Sequence, residues 1–310
     1  MQRYNSITML NKAFFGLAFS GLIILLASCQ KPEIYDPYAD WDYHEDFVYR
    51  AHTPASPEAC KILIIGNSLT YFNDQPDILK RIAVENHRKA FVDDITFPGV
   101  QMRQHCTDEY TLRKIHEQQW DYVILQEAVG EVIWPEDHPT ILPFIETLKA
   151  EILGNNPATK IIYFMPWALK DDSSIGFMTI SFDDYQKMIT AGTVQFGITA
   201  DLEIAPVGEA WRIAYADSSG INLFYTDGAH PSWYGSFLGA SVYFAAIFQD
   251  SMPDDSYISW QCKYLKDQAY GLVMDDLEKW HIPVLEDREK WTKPDDELPI
   301  PTNGQDGTVD

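Results

Sequence analysis

Residues 61–70, "KILIIGNSLT", form an apolar run that halts on Gly-Asn-Ser. Four aliphatic residues in succession, Ile62 to Ile65, fit a strand covered on both faces. The stop itself admits two readings. Gly66 and Asn67 are common turn residues, and Ser68 can cap the helix that follows. Alternatively, Ser68 is a nucleophile lifted out of the sheet toward solvent. Ten residues do not choose between these readings, so the surrounding chain has to.

Outward from this stretch, short β-branched runs alternate with helical ones, which predicts an α/β layer fold with a parallel sheet. The further strand candidates are "VDDITF" (92–97), "YVILQE" (122–127) and "KIIYFMP" (160–166). The last two are almost wholly apolar, whereas "VDDITF" carries two aspartates and suits an edge. Helix candidates lie between and after them: "DILKRIAVENH", "DEYTLRKIHEQQ", "ILPFIETLKAEIL" and a segment opening at "SFDD". In that segment Ser181 can cap the first turn, and Tyr185, Met188, Ile189 and Phe196 recur at helical spacing. "WYGSFLGASVYFAAIF" (233–248) is apolar with interspersed small residues, as a helix pressed against a sheet requires. "SYISWQCKYLKDQAYGLVMDDLEKW" supplies a last amphipathic helix.

The first 28 of the 310 residues read as a secretory signal: Arg3 and Lys12 precede an apolar core too short for a membrane span. It ends in Leu26-Ala27-Ser28-Cys29, which looks like a bacterial lipobox, in which Cys29 receives lipid and becomes the new N-terminus. Hydrophobicity alone also fits an uncleaved signal anchor, but small residues just before a cysteine favour lipidation. A cell-envelope lipoprotein of the outer membrane is therefore expected. Residues 29–57, rich in Pro, Asp and aromatics, read as a tether partly packed by those aromatics. Residues 58–288 read as one domain, and residues 289–310 as a disordered acidic tail.

Formal net charge is −23; loss of Arg3 and Lys12 with the signal makes the mature chain −25. Such a surface argues against nucleic acid or anionic lipid as a partner. Three cysteines remain beyond Cys29. A Cys60–Cys106 bridge is one arrangement, with Cys262 then a buried small hydrophobe. Their spacing matches no zinc pattern, so no metal and no cofactor is expected.

The second informative stretch is "TDGAHPSWYG" (226–235). A serine hydroxyl needs a neighbouring base, and that base needs an acceptor to hold its tautomer. Asp227 can meet Nδ1 of His230 three residues later and leave Nε2 facing outward, while Pro231 suits the first turn of the next helix. Taken alone, this pattern is as well explained by a cap and a surface histidine. It gains weight from topology. Sites on parallel sheets form at the carboxyl ends of the strands, and Ser68, Gly99 and Gln126 all follow such ends.

With "IGNSLT", the glycine of "TFPGV", "YVILQE", "APVGEAW" and "TDGAHPSWYGSFLGA" in this order, the chain from about residue 60 to residue 250 resembles the SGNH/GDSL hydrolase superfamily. The branch it looks like is common among Bacteroides-type lipoproteins. The resemblance implies a three-layer α/β/α sandwich with a mostly parallel, flavodoxin-like sheet of about five strands. It implies Ser68 as nucleophile, His230 as general base and Asp227 as its orienting partner. It also implies an oxyanion hole from the Ser68 and Gly99 amides and an asparagine side chain, whose position carries Gln126 here. A second departure is Asn67, where the family often has aspartate. His105 and Trp167 are candidates for the cleft with Asn67, the first two with a structural or core-packing role as the competing reading and Asn67 with bracing of the serine turn, and Glu127 invites either acid–base work or a surface ion pair or loop hydrogen bond. The function implied is a lipid-anchored serine esterase acting on small acyl esters, with O-acetyl groups of an acylated glycan as the guess at substrate. The alternative is a noncatalytic glycan-binding lipoprotein on the same fold.

Overall fold

The computed structural model describes residues 43–44, 47–128, 130–170, 173–175, 178–217, 220–251 and 259–292. The signal, Cys29, most of the tether and the tail beyond Thr292 lie outside the described residues. In chain order the elements begin with β1 (Cys60–Gly66), α1 (Ser68–Tyr71), a 3-10 turn (Phe72–Asp74), α2 (Gln75–Glu85) and β2 (Ala90–Thr96). Next come α3 (Met102–His105), α4 (Glu109–Ile115), β3 (Tyr122–Leu125), α5 (His138–Asn155) and β4 (Lys160–Phe164). A small hairpin, β5 (Ser173–Ile175) with β6 (Met178–Ile180), leads to α6 (Phe182–Ala200), β7 (Glu203–Ala205) and α7 (Val207–Ala216). The last helices are α8 (Trp233–Phe248) and α9 (Trp260–Met274).

Five strands form one parallel sheet in the order β2-β1-β3-β4-β7. Side chains alternate across a strand, and here both faces are covered. Ile62 and Ile64 enter a core with α2, α7, α8 and α9, while Leu63 and Ile65 enter a second core with α3, α4 and α5. This is the three-layer α/β/α sandwich implied by the sequence, with β2 at one edge. The fifth strand, Glu203–Ala205, is too short to leave a periodic trace in the sequence. Helix α8 is buried from Gly235 to Phe248, as an all-apolar helix must be. Pro231 sits ahead of this helix and not in its first turn, because Ser232 is the cap and its side chain accepts from Gly235 N at 3.2 Å.

Packing reaches past residue 288. Trp291 is buried against Tyr122 and Phe248, and its carbonyl accepts from Lys89 N at 2.7 Å. At the other end Tyr43 and Phe47 pack on Phe97. No Cys60–Cys106 bridge forms: the two thiols belong to opposite cores, with the sheet between them, and Cys262 is also free and buried.

Candidate active site

The turn after β1 sets the site. From Ile62 to Thr70 every residue is buried except Ser68, which is partly exposed. Asn67 caps α1, its Oδ1 accepting from Leu69 N at 3.1 Å, and this leaves Ser68 at the first helical position. The hydroxyl thereby points off the carboxyl end of the sheet.

From the other end of the chain, the loop before α8 brings a histidine to that hydroxyl. Ser68 Oγ donates to His230 Nε2 at 2.9 Å, across 162 positions of sequence. His230 Nδ1 donates to Asp227 Oδ2 at 2.6 Å, so the carboxylate holds the ring in the tautomer that leaves Nε2 free to accept. The other carboxylate oxygen accepts from the amides of Ala229 and His230, both at 2.9 Å. Partial burial pushes the Asp227 carboxyl up, but these two amides and the His230 ring outweigh it and bring it down to about 2. Asp227 is therefore ionised at neutral pH.

The loop is anchored on three sides. Tyr225 N donates to the His230 carbonyl and Ser232 N to the Leu223 carbonyl, both at 2.8 Å. Asn73 Nδ2 donates to Pro231 O at 3.1 Å and to Ser236 Oγ at 3.0 Å, tying the Ser68 side to the His230 side. Phe72 stacks on the His230 ring, with centroids 4.2 Å apart and planes 12° from parallel. The sequence reading missed Phe72 and Asn73. Their signal was position: they lie four and five residues beyond Ser68, where a single helical turn returns the chain to the same side.

Several residues expected at the cleft stand behind it. Gln126, the expected third oxyanion donor, is 0% exposed. Its Oε1 accepts from Asn67 N at 2.8 Å and from Thr70 Oγ1 at 3.0 Å, and its Nε2 donates to the Glu127 carbonyl at 2.7 Å. The amide is engaged inside the protein and braces the Ser68 turn from below. Gly66 must lack a side chain for this, since a Cβ there would lie 2.5 Å from Gln126 Oε1. Asn67 is buried as well, its Nδ2 donating to Val100 O at 2.9 Å. It links the Ser68 turn to the Phe97–Val100 turn and does not line a cleft.

His105 is fully buried between the Gly66 carbonyl, 2.9 Å from Nε2, and Thr111 Oγ1, 2.8 Å from Nδ1. Burial pushes its pKa down to about 4, so it is a neutral strut. Trp167 is buried too; it stacks on Trp211 at 3.9 Å and donates from Nε1 to Ala229 O at 2.9 Å. It supports the Asp227–His230 loop from the core side. Glu127 is buried, not in a surface ion pair, and makes the loop hydrogen bonds of its other reading, accepting from Met102 N and Ala128 N. Burial pushes its carboxyl up to about 8 despite those amides.

Gly99 does lie where the sequence put it. It is exposed with φ at +64°, in the turn closed by Val100 N on Phe97 O. A Pro-Gly pair at the centre suits a type II turn, which needs positive φ at its third residue. Among the described residues no hydrogen bond uses the Ser68 or the Gly99 amide. A cavity of about 450 Å³ opens beside Asn73 and Trp233, between α2 and α8, but Ser68, Asp227 and His230 do not line it.

Neither a protein-family model nor a curated protein sequence matches the chain. Among solved structures the fold is similar to that of a DUF4886 family protein from Bacteroides uniformis. The TM-score is 0.60 at 16% identity, over 74% of this chain and 98% of that one. This likeness establishes a shared fold. Looser similarities include a protein from Slackia heliotrinireducens assigned as an SGNH hydrolase, 23% identical with TM-score 0.47 over 60% of this chain and 97% of that one. Another is a carbohydrate esterase family 3 protein from Talaromyces cellulolyticus, 16% identical with TM-score 0.41 over 61% and 96%.

Proposed function

We propose that the protein is a serine esterase using Ser68, His230 and Asp227. The observation that carries this reading is the continuous chain Ser68 Oγ to His230 Nε2, 2.9 Å, and His230 Nδ1 to Asp227, 2.6 Å. Ser68 attacks the carbonyl carbon of an acyl ester while Nε2 takes its proton, and that proton passes to the departing alcohol. Water, deprotonated by the same Nε2, then attacks the acyl-enzyme and releases the acid. The Ser68 and Gly99 amides are the donors available to the tetrahedral oxyanion. Removing one such donor typically lowers the rate about a hundred- to a thousandfold, so the withdrawal of Gln126 from this role is consistent with a modest enzyme.

The substrate reading is a small acyl ester, with O-acetyl groups on a glycan as the favoured class. The sequence further supports attachment through lipid on Cys29 to the outer membrane. Hydrolysis of p-nitrophenyl acetate and release of acetate from acetylated xylan test the activity, and both should vanish in a folded Ser68→Ala variant. Turnover retained in that variant overturns the assignment of Ser68 and points to a different nucleophile, whereas no turnover in the wild type leaves a binding protein as the better reading. Metabolic labelling with a lipid analogue, lost in Cys29→Ala, tests the anchor.

A further inference from the structure

Aromatic rings gather around His230. Phe72, partly buried, lies flat on the imidazole. Tyr225 meets Phe72 edge to face, with centroids 5.8 Å apart and planes at 70°. Tyr71 adjoins Phe72 as well, at 5.9 Å. Tyr225 is the most open of these, 52% exposed, yet its backbone is held on both sides. Its amide donates to the His230 carbonyl at 2.8 Å and its carbonyl accepts from Gly228 N at 3.1 Å. The ring is therefore an uncovered surface whose root is fixed to the same loop as the imidazole.

We propose that Tyr225 determines specificity for the alcohol half of the ester, and that the alcohol it fits is a sugar ring of a glycan. The inference rests on the serine-esterase reading above. In acylation Ser68 Oγ bonds to the carbonyl carbon and the bond from that carbon to the alcohol oxygen breaks. That oxygen takes its proton from Nε2, so the alcohol stands at the His230 edge of the site. The carbonyl oxygen turns instead to the Ser68 and Gly99 amides. A side chain rooted beside His230, and touching the ring stacked on the imidazole, therefore meets the alcohol and not the acyl group. A phenol offers an apolar face with a polar tip. A pyranose offers a face of C–H bonds rimmed by hydroxyls, so the two surfaces match in both characters. With Phe72 crossing it at 70°, Tyr225 makes a corner that seats a ring.

The test compares full-length wild type, Tyr225→Ala and Tyr225→Phe on two acetate esters, an acetylated xylo-oligosaccharide and ethyl acetate. Both form the same acetyl-enzyme, but the two-carbon alcohol of ethyl acetate presents no ring to Tyr225. In Tyr225→Ala, kcat/KM on the oligosaccharide should fall by about three- to tenfold, the range of one aromatic contact. Most of that fall should lie in KM, because the contact is made in the ground state as well as the transition state. On ethyl acetate kcat/KM should stay within about twofold of the wild type, and so should the rate at which a fluorophosphonate probe labels Ser68. Tyr225→Phe keeps the ring and should return to within about twofold of the wild type on the oligosaccharide. Equal losses on the two esters, slower labelling, no rescue by phenylalanine, or no loss on the oligosaccharide overturns the proposal. Wild-type turnover of ethyl acetate with none of the oligosaccharide also overturns it and leaves the esterase reading standing. Absence of Ser68-dependent turnover of either ester overturns the esterase reading itself.

Discussion

Replacing Gln126 by alanine separates its observed role from the one its sequence position implied. The substitution removes two accepted hydrogen bonds, from Asn67 N and Thr70 Oγ1, and one donated to the Glu127 carbonyl. All three partners are buried. A buried polar group left unpaired costs about 1–3 kcal/mol, and the Thr70 hydroxyl can rotate toward another acceptor. Two to three orphaned groups and the cavity together predict a loss on the order of 3–6 kcal/mol. That is a large share of the roughly 5–15 kcal/mol that holds a domain folded. At about 2–4 °C per kcal/mol for a chain of this size, Tm should fall by roughly 6–24 °C. Urea titration of the full-length protein measures the stability, and kcat on p-nitrophenyl acetate is then read in the cold, where the variant is folded. The reasoning is refuted if stability is unchanged within about 0.5 kcal/mol while kcat drops a hundredfold or more. Such a result would mean that the amide reaches the oxyanion after all.

Other consequences follow from the same geometry. Asp227→Asn keeps an oxygen for the Ala229 and His230 amides but presents a donor to Nδ1, so the proton moves to Nε2 and the base is lost. The kcat on p-nitrophenyl acetate should fall by about three to four orders of magnitude with Tm shifted by no more than a few degrees. Burial pushes the Glu203 carboxyl up to about 7, from 4.5 for an ordinary glutamate. The folded state then holds the proton more tightly than the unfolded one. Its stabilising contribution is full below about pH 4.5 and is lost as pH rises through 7. Glu203→Gln should therefore be near neutral in urea titrations at pH 4.5 and stabilising by on the order of 1–3 kcal/mol at pH 8.5; the reverse order would contradict this burial effect.

The sheet was legible wherever a strand was long and buried on both faces. Cys60–Gly66 and Lys160–Phe164 leave continuous apolar runs, and the two aspartates of β2 mark it as an edge. Glu203–Ala205 left no such trace, because three residues carry no period. The pairing of Ser68 with Asp227 and His230 was legible because each lies against a strong punctuation mark, a glycine or a proline, at the carboxyl rim. Gln126 was misplaced, and Asn67, His105 and Trp167 were left between cleft and scaffold, for one common reason. Polar and aromatic types near a rim look alike in sequence whether they face substrate or brace the loop beneath it, and only burial distinguishes the two. Gln126 shows this most sharply: the extra methylene relative to asparagine lets its amide reach under Asn67 and Thr70. Phe72 and Asn73 act through proximity along the turn that follows Ser68, which composition does not advertise.

The most direct measurement is a mass-spectrometric map of the site phosphonylated when the full-length protein meets a fluorophosphonate probe. One adduct is expected, on the peptide carrying Ser68, forming at least a hundredfold more slowly in His230→Ala. No adduct, an adduct on a different serine, or equal labelling in the two proteins would contradict the claim that this hydroxyl is activated by that imidazole.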